Sequence, residues 1–71
     1  MKLDTDACGN IILTEVFSGL TLQTKEKNAI HICMRDDTFE LSIHPEGSKT
    51  YSTWRVNMQE DTIKKLSEKR L

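Results

Sequence analysis

The sequence predicts an α+β fold: a small antiparallel β-meander of four to five strands with one C-terminal α-helix packed on one face. Three observations carry this prediction. Apolar and polar residues alternate through residues 30–43 around an Asp36, Asp37 turn, loop-forming residues flank that stretch at short intervals, and residues 57–71 carry the end signals of a helix.

Residues 1–10 are assigned no role from the sequence. Ile11, Ile12 and Leu13 follow a Cys8, Gly9, Asn10 turn signal, so residues 10–14 are either a fifth strand at the sheet edge or a short covering segment, the strand being the preferred reading. A strand over 18–24 comes next. If Lys25, Glu26 and Lys27 form a three-residue loop, Leu22 falls opposite Ile30 and Leu20 opposite Ile32.

Strands over 28–35 and 38–44 form the central hairpin, with Ile30, Ile32 and Met34 on one face and His31, Cys33 and Arg35 on the other. A two-residue loop at Asp36 and Asp37 sets Arg35 opposite Thr38, Met34 opposite Phe39, Ile32 opposite Leu41 and Ile30 opposite Ile43. Every apolar residue then meets an apolar one. Pro45, the single proline, stands in a turn with Glu46, Gly47 and Ser48, and the next strand covers 49–56. A four-residue loop there pairs Phe39 with Trp54 and Leu41 with Ser52.

The helix is expected over 58–69. Asn57 is its N-cap, Glu60 and Asp61 suit the first turn, Lys69 and Arg70 suit the last, and Glu60 with Lys64 and Asp61 with Lys65 are i,i+4 pairs. Its apolar stripe is narrow, comprising Met58, Ile63, Leu66 and Leu71.

A chain of 71 residues, 37% hydrophobic and 30% charged, is one domain composed like a globular protein. Domains of this size have about 3–5 kcal/mol of core-derived stability, which leaves little room for an internal enzyme pocket. Ten Lys and Arg against eleven Asp and Glu give a net charge of -1, without the basic footprint of a duplex-binding protein. Two cysteines are thin for a disulfide framework, and no apolar leader follows Met1. The expectation is a complete, soluble, cytoplasmic chain with no membrane span.

His31 and Cys33 project from one strand face with Glu40 across from Cys33, but this is too few ligands for a metal, and a flat sheet does not activate a thiolate. Asp36 and Asp37 lack the oxygen ladder of a Ca²⁺ loop, and Gly9, Gly19 and Gly47 are too scattered to cradle a phosphate. No catalytic residues, metal or cofactor are assigned, and the chain reads as a non-enzyme.

The outward sheet face is the candidate contact surface. The expected registers put Thr21, His31, Ser42 and Tyr51 in one row, Cys33, Glu40 and Thr53 in the next, and Arg35, Thr38 and Arg55 in a third. Tyr and Arg are enriched at binding hot spots, so His31, Arg35, Glu40, Tyr51 and Arg55 are the expected partner-binding residues. The function this surface implies is a non-catalytic protein-binding module; that it regulates or inhibits a larger protein is an expectation from the type of chain, small chains with no catalytic set being common among phage and mobile-element accessory proteins. Weak binding of single-stranded nucleic acid by the same face is the alternative, disfavoured because Tyr51 is its one outward aromatic. A homodimer through an edge strand, either the N-terminal one or residues 49–56, is the third reading.

Overall fold

The computed structural model describes residues 1–25 and 27–70, and these contain seven strands and no helix. β1 (Lys2–Thr5), β2 (Ile11–Thr14) and β3 (Thr21–Gln23) form one antiparallel sheet in that order. β4 (Ala29–Arg35), β5 (Thr38–His44), β6 (Thr50–Asn57) and β7 (Thr62–Arg70) form the other. The fold is all-β, and the α+β expectation is corrected accordingly. No helix of the described residues is long and apolar enough to cross a membrane.

The β4–β5 hairpin adopts the register its sequence dictates, from Arg35↔Thr38 through Ile32↔Leu41 to Ala29↔His44. Its turn places Asp36 at a φ of 40°, a left-handed conformation that Asp tolerates better than most residues. The outer registers differ from expectation. Phe39 pairs with Val56, Leu41 with Trp54 and Ile43 with Ser52, two residues from the expected alignment. The ring of His44 donates a hydrogen bond to the Ser48 carbonyl at 2.7 Å, and the Ser48 hydroxyl donates to the Thr50 carbonyl at 3.0 Å. These bonds hold a longer connection and delay β6 until Thr50. A shift of two preserves which face each β6 side chain occupies, so Val56 stays on the inward face while the cross-strand neighbours change.

The strand expected over 18–24 shortens to β3 and leaves the meander. Gly19 has a φ of 74°, which ends any extended run there, and the Glu15 N–H donates to the Leu20 carbonyl at 2.8 Å to close a turn. β3 therefore folds back on β2, with Leu22 opposite Leu13 rather than Ile30. The expected 25–27 loop includes Glu26, which lies outside the described residues.

The expected helix over 58–69 is β7. The Asn57 side chain does accept the Glu60 N–H at 2.9 Å, as an N-cap would, but here that bond closes a turn between β6 and β7. Asp61, at a φ of 56°, completes it. A helix would bury only its thin stripe, whereas strand pairing sets Ile63 opposite Val56 inside the core and satisfies the backbone along β6. A bulge between Thr53 and Trp54 shifts the register so that Lys65 lies beside Trp54, its ammonium 5.7 Å from the ring centroid. Leu71, counted in the helical stripe, lies outside the described residues.

The two sheets meet face to face across Leu13 of β2, Val56 of β6 and Ile63 of β7, with Met1, Ile11, Leu22, Phe39 and Trp54 packed around them. Polar groups join the sheets at one end. The Asp61 carboxylate accepts the N–H groups of Val16 at 2.8 Å and Phe17 at 3.2 Å and pairs with the Met1 ammonium at 2.8 Å. The Glu15 carboxylate accepts the Ile63 N–H at 2.7 Å. Within the smaller sheet Thr24, 2% exposed, exchanges bonds with Ile11: its hydroxyl accepts the Ile11 N–H and its own N–H donates to the Ile11 carbonyl.

Candidate contact surfaces

A three-stranded sheet over a four-stranded one leaves part of the larger sheet uncovered, and β4 is the strand left out. All seven of its residues are exposed. By parity Ile30, Ile32 and Met34 belong to the same face as the core residues Phe39, Leu41 and Ile43. Yet Ile30 is 39%, Ile32 48% and Met34 72% exposed. Leu3, on the edge strand β1, is 62% exposed as well. Between them opens a groove of about 230 Å³, lined only by apolar residues: Leu3 and Ile32 at the rim with Met34, and Ile11, Leu13, Phe39 and Leu41 toward the core.

β4 is also a free edge, with one neighbour, β5. A two-residue turn closes on a hydrogen-bonded pair, here Arg35↔Thr38, so the alternation of an antiparallel ladder turns the backbone groups of Cys33 and His31 toward β5. Those of Ile30, Ile32 and Met34 then point to the open side. The same three residues thus carry both the unpaired backbone and the uncovered apolar row.

The opposite face of the larger sheet holds the residues singled out from sequence, and the structure divides them into two groups. At the hairpin end Glu40 lies between Cys33 and Arg55 in one cross-strand row. Its carboxylate forms ion pairs with Arg35 Nε at 3.3 Å and with an Arg55 guanidinium nitrogen at 3.9 Å. Two guanidinium groups share one carboxylate. Exposed pairs of this kind contribute little to stability. At the other end His31, Ala29, Ile30, Ser42, His44 and Tyr51 line a shallow depression. The expected rows are corrected: Thr53, not Tyr51, stands across from Ser42, and Arg55 stands beside Glu40 instead of Thr38.

Neither of the two expected dimerisation edges is an edge: the strand over 10–14 is β2, between β1 and β3, and the strand over 49–56 is β6, between β5 and β7. Sequence reasoning placed Ile30, Ile32 and Met34 in the core and so missed the seam. Strand alternation reports that a face is apolar, and carries no signal of whether a second layer covers it. A further apolar tip lies on the 15–20 turn, where Phe17 is 96% and Val16 66% exposed.

Comparison with family models, with curated proteins and with solved structures finds no match for this chain.

Proposed function

We propose that this chain is a small non-catalytic protein-binding module that engages its partner through the seam of the sandwich, where the free edge of β4 meets its uncovered apolar row. One observation carries the reading. Ile30, Ile32 and Met34 occupy core parity on a seven-residue edge strand and remain exposed, next to an apolar groove. A strand added to that edge gains backbone hydrogen bonds and covers the row with alternate side chains in one step. His31 and Arg35 lie on the other face of the same strand, and Glu40 and Arg55 beside them, so they flank the contact and supply polar specificity at its rim.

The test is an affinity capture with nuclease treatment, comparing the tagged chain with a variant carrying Ile32→Lys and Met34→Lys. Ile32 and Met34 are 48% and 72% exposed, so the variant should remain folded by circular dichroism. The expected result is a stoichiometric, nuclease-resistant protein that the variant no longer retains. Equal capture by both chains would move the contact away from the seam, and capture abolished by nuclease would assign the chain to nucleic-acid binding.

A further inference from the structure

We infer that the occupant of the β4 edge is β4 of a second copy of this chain, paired antiparallel about a two-fold axis through Ile32. The inference rests on the seam being a docking surface, and it names what docks there.

The four sheet edges are not alike. β1 and β3 are short, with four and three residues. β7 carries Lys64, Lys65, Glu68, Lys69 and Arg70 and pairs with β6 through a bulge. Charge, bulging and shortness are the usual devices that keep an edge from pairing with another chain. β4 has none of them. It is seven residues long, runs in unbroken register with β5 and bears no charged residue before Arg35 at its end.

The strand is also complementary to itself. Antiparallel pairing centred on Ile32 sets Ile32 against Ile32 of the second copy, Ile30 against Met34, His31 against Cys33 and Ala29 against Arg35. Apolar residues meet apolar ones, and no like charges stand opposite each other. The hydrogen-bonding parity agrees. Ile30, Ile32 and Met34 are the residues whose backbone groups face outward, and in this register they form the hydrogen-bonded pairs, roughly six bonds in all. A register displaced by one residue would pair outward-facing groups with groups already committed to β5. The two-fold also joins the two apolar rows into one continuous stripe beside both grooves, and a net charge of -1 per chain opposes association only weakly.

Sedimentation equilibrium from about 1 µM to about 1 mM, with amide hydrogen exchange at the upper end, tests this. The expected result is a monomer–dimer equilibrium within that range. In the dimer the amides of Ile30, Ile32 and Met34 should become protected, while that of Cys33, bonded within the hairpin, is protected in both states. Ile32→Lys places two ammonium groups face to face at the axis and should return the chain to monomer. Met34→Lys should weaken the dimer at least tenfold, and it serves if the first variant proves unstable by circular dichroism. A dimer that survives either folded variant, or that leaves those three amides in fast exchange, would overturn the inference. So would a monomer throughout the range. If a monomeric chain still captures a protein that the double lysine variant loses, the seam remains a docking surface and only the second copy is excluded.

Discussion

Leu13 is the residue on which the joining of the two sheets most depends. It is 1% exposed, sits at the centre of the smaller sheet, and contacts the core cluster with Val56 and Ile63 from the larger one. Leu13→Ala removes the smaller sheet's principal contribution and leaves a cavity that rigid strands on both sides cannot close. The expected cost is about 2–5 kcal/mol. A domain of this size has about 3–5 kcal/mol in total, so the variant should be largely unfolded at 37 °C by circular dichroism. Phe17→Ser gives the contrast. Phe17 is apolar and larger, but 96% exposed, and its replacement should change stability by less than about 0.5 kcal/mol in urea titration. Apolarity alone does not rank these positions; burial does.

Among elements, the β4–β5 hairpin is self-specifying. Its register needs nothing beyond a two-residue turn and the alternation of its own side chains, which is why it was legible in the sequence down to each cross-strand pair. It carries a local prediction. Asp36 holds a left-handed φ of 40°, so Asp36→Val should destabilise by about 1–2 kcal/mol, whereas Asp36→Gly should stay within about 0.5 kcal/mol of wild type in the same titration. Elements whose form depends on distant partners were not legible. The Asn57 to Glu60 bond is present, but the same local geometry opens a helix or closes a turn, and the choice falls to Ile63, which finds a buried place only as a strand. The Cys33–Glu40 and Arg35–Thr38 pairs followed from the hairpin, whereas the diagonal Arg35–Glu40 ion pair was not among the expected contacts. The positions of Tyr51 and Arg55 did not follow, because a loop held by His44 and Ser48 moved β6 by two residues. The seam escaped for a related reason: coverage of a strand face is decided by the other sheet, far away in sequence.

At the scale of the whole molecule, the sheets are held together by a small apolar centre and by one polar latch, and the latch makes stability depend on acid. The Met1 ammonium and then the N–H groups of Val16 and Phe17 donate to the Asp61 carboxylate and hold its pKa below the ordinary value of 3.8. Asp6 is lowered too, chiefly by the Asn10 side chain and backbone, within the turn between β1 and β2. A carboxyl whose pKa is lower in the folded state binds fewer protons there than in the unfolded chain. Its contribution is therefore complete above pH 3.8 and is lost as the pH falls below that value through the folded pKa. Asp61→Asn keeps the size of the side chain and tolerates the left-handed backbone, but it removes the charge. The variant should be less stable than wild type at pH 7, and the difference should shrink as urea titrations are carried below pH 3.8. A difference of constant size across that range would mean that Asp61 acts through shape and hydrogen bonding alone, and would transfer the acid sensitivity of the fold to the Asp6 turn, where Asp6→Asn can be examined in the same way.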